Sequence, residues 1–110
     1  MNIKQEQIND VVVCVMDGEI NISNSPELRK FFDDVLKTNT KKVIFDFSFV
    51  PYIDSSGLAT LIEMFQRLKK VGGALRLCSM SEKIKNIFEL TKLTKLFDIS
   101  ETRENALKDF

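Results

Sequence analysis

Val43-Ile44-Phe45-Asp46-Phe47, and after it Val50-Pro51-Tyr52-Ile53-Asp54-Ser55-Ser56-Gly57-Leu58, carry the chain from a short apolar run into the start of an amphipathic pattern. The first run is apolar at four of its five positions and follows Lys41-Lys42, so it reads as a buried strand. From Ser56 to about Val71, Leu58, Leu61, Ile62, Phe65 and Leu68 recur at helical spacing, and Gly72-Gly73 ends the run. A buried strand feeding directly into an amphipathic helix is the unit from which parallel sheets are built.

Working outward, the same unit recurs. Upstream, Val11-Val12-Val13-Cys14-Val15-Met16 is a β-branched, apolar strand between Asn9-Asp10 and Asp17-Gly18, expected to pair with Ile3 to Ile8 as a hairpin. Ser25-Pro26-Glu27 then marks a helix start, with serine as the expected cap and proline at the first helical position. Leu28, Phe31, Phe32, Val35 and Leu36 give that helix one apolar face. Downstream, Ala74 to Cys78 reads as a strand, and Ser81-Glu82 opens a helix carrying Ile84, Ile87 and Phe88 on one side. Leu96 to Ile99 is expected as a last strand, and about Thr102 to Phe110 as a last helix. Strands alternating with helices predict an α/β fold with right-handed crossovers and a mostly parallel sheet, with the hairpin at one edge.

Composition limits what such a fold can do. The 110 residues suit one domain, residues 1–110, and no repeat or proline-rich linker divides them. Sixteen Lys+Arg balance sixteen Asp+Glu, and histidine is absent. The balance lacks the basic footprint of a nucleic-acid binder, so no direct nucleic-acid contact is expected. Without histidine there is no Ser-His triad, no His-phosphotransfer site and no histidine-ligated metal, and no motif points to a cofactor. The charge is mildly uneven: residues 1–40 carry seven acids and four bases, residues 41–110 nine acids and twelve bases. Lys69, Lys70, Lys83, Lys85, Lys92 and Lys95 read as solvated helix faces. Cys14 and Cys78 each lie inside an apolar run and belong to no Cys-x-x-Cys pair, so they read as buried, reduced thiols. The longest purely apolar run, Val11 to Met16, is far short of a bilayer span, and the polar start Met1-Asn2-Ile3-Lys4 has no secretory pattern. A cytoplasmic protein without membrane insertion is the expectation.

The junction Asp54-Ser55-Ser56-Gly57 supports two readings. A serine in the first helical turn sits beside unpaired N–H groups and the positive end of the helix dipole, which suits a phosphate. Phosphorylation there would add about −1.5 to −2 charges beside Asp54 without unfolding the helix. The same four residues also make an ordinary helix start, since Asp54, Ser55 and Ser56 are all good caps and Gly57 permits close backbone approach. A phosphate-binding Gly-x-x-x-x-Gly-Lys-Ser/Thr loop and a Gly-x-Ser-x-Gly nucleophile elbow are both missing.

Asp54-Ser55-Ser56-Gly57-Leu58 at a strand-to-helix junction, Gly18-Glu19-Ile20-Asn21 before it, and Gly72-Gly73 ahead of a short strand resemble the STAS domains of bacterial anti-sigma factor antagonists. The likeness runs from about residue 3 to residue 107. It implies a single STAS domain, α/β, with a mixed, mostly parallel sheet, an N-terminal hairpin and about four helices. It also implies partner switching. The unphosphorylated antagonist binds an anti-sigma factor that is also a serine kinase, and so frees the sigma factor; phosphorylation of the first serine after the aspartate releases it, and a serine phosphatase restores it. Carried over, Ser55 is the phosphoacceptor, Asp54 and Ser56 flank it, and Gly57 lets the partner's backbone come close. The chain is then a kinase substrate and not an enzyme. The family often has an aspartate where this chain has Asn21, which removes one negative charge from the expected partner-binding set and also reads as a turn residue. The alternative is a non-switching STAS interaction subunit of a transport ATPase or a stress-signalling scaffold, with Ser55 as a structural cap. A small α/β redox enzyme is a third class, disfavoured because Cys14 lies within a strand and no Cys-x-x-Cys is present.

Overall fold

Asn9 adopts a left-handed φ of 55° and with Asp10 makes a two-residue turn. β1 (Asn2–Ile8) and β2 (Val11–Asp17) therefore pair antiparallel in unbroken register, from Ile8 opposite Val11 to Asn2 opposite Asp17. The computed structural model describes all residues from 1 to 110. After the hairpin come α1 (Ser25–Lys37), β3 (Lys42–Phe49), α2 (Ser55–Lys70), β4 (Ala74–Cys78), α3 (Glu82–Leu90), a 3-10 turn (Leu93–Lys95), β5 (Asp98–Ser100) and α4 (Arg103–Leu107). β2, β3, β4 and β5 pair in parallel, and the strand order β1-β2-β3-β4-β5 is the chain order. Each parallel step is made by one crossover helix. Crossovers of one hand advancing in one direction place α1, α2 and α3 on the same face of the sheet.

That face carries the main core, 22 buried residues that include Leu28, Phe32 and Val35 of α1, Leu61, Met64 and Leu68 of α2, and Ile84 and Phe88 of α3. The opposite face carries a smaller set, Val11, Val13, Val15, Ile44, Cys78 and Ala106, covered by α4 and the last residues. With both faces covered, β2 has no side chain left for water between Val11 and Met16, which is why its apolar run does not alternate. Asp46 is the exception, 4% exposed on the α4 side. Its Oδ1 accepts from the Ser48 N–H (2.9 Å) and hydroxyl (2.6 Å), and its Oδ2 accepts from the Arg103 guanidinium at 3.0 and 3.2 Å. Arg103 also reaches Glu6 at 2.8 Å, so one cation ties β1, β3 and α4 together.

The expected elements are all present, with shifted ends. Asn24, not Ser25, holds the N-cap position of α1, and no side chain caps the helix there; Ser25 is the first helical residue, and its buried hydroxyl donates to the Asn21 carbonyl at 2.7 Å. α2 begins at Ser55 and not Ser56. The last strand is Asp98–Ser100 and not Leu96–Ile99, because Phe97 leaves the 3-10 turn pointing into the core. The last helix stops at Leu107 and not Phe110: Asp109 has a left-handed φ of 56°, and Arg76 donates to the carbonyls of Ala106 and Lys108 (2.8 and 3.0 Å).

Candidate functional site

The loop that leaves β2 runs beside the link that leaves β3. Gly18 N–H donates to the Phe49 carbonyl, Ile20 N–H to the Tyr52 carbonyl, and Asp54 N–H to the Ile20 carbonyl, each at 3.0 Å. Ile20 and Ile53 form a parallel bridge and are both buried, so the sheet is extended by one rung at the mouth of α2. The register leaves Asp54 in extended backbone as the N-cap of α2. Its Oδ1 accepts from the Gly57 N–H at 2.9 Å, and its Oδ2 accepts from the Ile22 N–H at 3.1 Å. One carboxylate therefore caps the helix and holds the neighbouring loop.

Asn21 shapes that loop from within. Its Oδ1 accepts from the N–H groups of Ser23 (3.0 Å) and Asn24 (3.2 Å), while its own N–H donates to Asn24 Oδ1 at 2.8 Å. An aspartate could accept the same bonds, so asparagine keeps the turn and omits the charge. The loop beside the serine thus carries no carboxylate at position 21, while Asp54 supplies one beneath it.

The three residues after Asp54 face different ways. Ser55 is exposed at the first position of α2, and its hydroxyl makes no hydrogen bond within the chain. Ser56 is half-buried, and its carbonyl accepts from the Thr60 hydroxyl at 2.9 Å. Gly57 is buried against the chain's own loop. A Cβ there would lie 2.6 Å from Ile53 Cγ1 and 2.8 Å from both Ile20 Cγ2 and the Ile20 carbonyl oxygen. The close approach that this glycine permits is internal. It lets the Ile20–Ile53 bridge lie against the helix and so sets where Ser55 emerges.

Three exposed apolar residues that sequence periodicity did not single out lie on the segments that lead to this junction. Ile22 is 72% exposed, Phe49 60% and Tyr52 39%, all on the two bridged segments, and the Lys83 ammonium lies 5.1 Å over the Tyr52 ring. The available signal was an isoleucine set between polar turn residues, Asn21 and Ser23, where no core pattern explains it. Beside Ser56 a shallow groove of about 290 Å³ runs between α1 and α2, bordered by Ile22, Pro26 and Arg29. Arg29 is held there by Thr60 (3.2 Å) and Glu63 (3.0 Å). The thiols lie elsewhere: Cys14 and Cys78 are free and buried. Burial pushes the Cys78 thiol up to about 11 and that of Cys14 higher still.

Known proteins share the fold. A family model described as the STAS domain matches residues 2–106. The anti-sigma-B factor antagonist of Bacillus subtilis is 32% identical over 108 residues, 98% of this chain and 96% of that protein. The chain belongs to the STAS family of anti-sigma factor antagonists. The crystal structure of TM1081 from Thermotoga maritima superposes on this STAS domain with a TM-score of 0.92 at 28% identity, covering 97% of this chain and 92% of that one. The Bacillus cell fate determinant SpoIIAA in its phosphorylated form shares the fold, with a TM-score of 0.73 at 20% identity over 96% of each chain. No helix of the domain is long and apolar enough to cross a membrane.

Proposed function

We propose that this STAS domain is an anti-sigma factor antagonist whose partner contact is controlled by phosphorylation of Ser55. The observation that carries this reading is the Ser55 hydroxyl, exposed and unbonded at the start of α2, beside an Asp54 carboxylate that also holds the loop carrying exposed Ile22. The capping oxygen of α2 belongs to Asp54, so Ser55 has no structural task that would hold its hydroxyl in place. The unmodified face, with Asn21, Asp54, Ser55 and Ser56 around exposed apolar side chains, docks on an anti-sigma factor, and Gly57 contributes by seating the loop that carries Ile22.

Modification acts by charge and desolvation. The Ser55 and Ser56 N–H groups have no acceptor in the chain and stand at the positive end of the helix dipole, so a phosphate on Ser55 is tolerated by the fold. The same dianion, set beside Asp54, would have to be stripped of water in any interface that buries Ile22 and Tyr52, and the partner is released. The anti-sigma factor is itself the serine kinase, a separate phosphatase resets Ser55, and the antagonist performs no catalysis. All of these partners act in the cytoplasm.

The test is incubation with the cognate anti-sigma kinase and ATP, followed by mapping of the modified residue by mass spectrometry. Calorimetry of Ser55→Asp and Ser55→Ala against the same partner completes it. Ser55 takes the phosphate, Ser55→Ala binds like the parent, and Ser55→Asp binds at least about tenfold more weakly, near 1.4 kcal/mol. An unmodified Ser55, or equal affinities for the two variants, refutes the switch.

A further inference from the structure

We infer that β1 is a self-complementary edge through which two copies of this chain join into one continuous sheet about a two-fold axis at Gln5. The inference stands apart from the Ser55 switch, since β1 lies two strands away from β3 and leaves the Ser55 face free.

The two edges of the sheet are built differently. β5 is three residues long, too short to offer a template. β1 has seven residues, with no proline, no glycine and no break in its register with β2. Natural edges of that length are usually blunted by proline, a bulge or an unmatched lysine. β1 carries one lysine, Lys4, and one glutamate, Glu6, on the same face.

The turn fixes which backbone groups look outward. A two-residue hairpin closes on a hydrogen-bonded pair, here Ile8 and Val11, so Ile8, Glu6, Lys4 and Asn2 direct their N–H and C=O groups toward β2. The alternation then turns the backbone groups of Ile3, Gln5 and Gln7 away from the sheet. A two-fold axis at any residue from Ile3 to Gln7 pairs outward N–H with C=O on an antiparallel copy, but an axis at Lys4 or Glu6 sets like charges face to face. Only the axis at Gln5 uses the whole strand, opposing Ile3 to Gln7, Gln5 to Gln5 and Asn2 to Ile8, with about six interchain backbone hydrogen bonds.

That axis also opposes Lys4 of each copy to Glu6 of the other. Lys4 is exposed and has no ionic partner within the chain, and Glu6, half-buried, already touches Arg103 at 2.8 Å. The pairing extends an existing network, Asp46 to Arg103 to Glu6, by one more cation. Axes at Ile3 or Gln7 leave these charges unmatched. On the other face, Ile3 and Phe31 border a groove of about 320 Å³ that opens at the same edge, so the joint covers apolar surface as well.

Such an interface falls at the small end of specific contacts, and the association is weak and concentration-dependent. Sedimentation equilibrium of the wild-type chain from micromolar to millimolar concentration should show a monomer–dimer equilibrium. Lys4→Glu should weaken it about tenfold by facing two glutamates on each side, with thermal unfolding unchanged. Gln5→Cys places two thiols at opposed positions about 5.5 Å apart between Cα atoms, within disulfide reach. Gln7→Cys separates them by roughly 14 Å, out of reach. Under mild oxidation Gln5→Cys yields a covalent dimer and Gln7→Cys does not. A chain that stays monomeric throughout, or two cysteine variants that cross-link alike, overturns the inference.

Discussion

Gly57→Ala tests the packing that sets the serine's position. The added methyl would sit 2.6 Å from Ile53 Cγ1 and 2.8 Å from the Ile20 carbonyl oxygen, distances at which one group must move. The side-chain clash is of the overpacking kind, about 1–3 kcal/mol. The carbonyl cannot give way freely, because it accepts from the Asp54 N–H at 3.0 Å, and losing that bond adds about 1 kcal/mol. Replacing glycine by alanine inside a helix returns about 1 kcal/mol through backbone entropy. The sum is a net loss of about 2 kcal/mol, a fall in melting temperature of roughly 8 °C for a domain of this size. Urea denaturation with an unchanged slope would isolate the folded-state effect. Ile22 follows the same bridge, so under the proposed function affinity for the anti-sigma factor is expected to fall with stability. A Gly57→Ala variant as stable as the parent would refute the close packing of Ile20 on α2.

Three further outcomes follow from the same contacts. Asp54→Ala removes both the cap on Gly57 and the tie to Ile22, a loss of about 2 kcal/mol, whereas Asp54→Ser keeps the cap and loses about 1 kcal/mol; equal losses by urea denaturation would contradict the double role. Arg103→Met leaves the buried Asp46 carboxylate without its cation, a loss of about 3 kcal/mol, and the double variant with Asp46→Asn should lose less than the sum of the two single changes. Because burial raises the Cys78 thiol to about 11, the folded state keeps a proton that the unfolded chain gives up sooner. Stability therefore falls as pH rises from the ordinary thiol range toward 11, and a thiol reagent at mildly alkaline pH reacts only after denaturant is added. A fast native reaction, or a pH-independent denaturation midpoint, would count against this burial.

Much of the fold was legible because two faces of the sheet are filled. A strand such as Val11 to Met16 must be apolar throughout, and α1 and α2 must repeat their apolar residues at helical spacing, whatever the family. The ends were less legible where backbone and charge decide. β5 pairs through Asp98, Ile99 and Ser100, a sequence with no strand pattern, and α4 is cut short by Arg76 binding carbonyls from a distant strand, which no local signal announces. At the junction, the residues were readable but their division of labour was not. Aspartate and both serines are equally good caps in isolation; the Ile20–Ile53 bridge selects Asp54 by fixing its backbone, and leaves Ser55 outward. Ile22, Phe49 and Tyr52 escaped notice because exposure of an apolar side chain has no periodicity.

The chain-order sheet bears on how the molecule comes into being. Each strand after the hairpin adds to the edge that the previous strand left open, so no segment waits for a distant one and every loop to be closed spans one helix. As the chain leaves the ribosome, the hairpin can be joined in turn by α1 with β3 and by α2 with β4, each new unit docking on structure already formed. The face beneath α4 is different, for its cover comes after all five strands. Until Arg103 arrives, Asp46 lies open to water, and a segment that follows every strand of the sheet is the one that seals the second core.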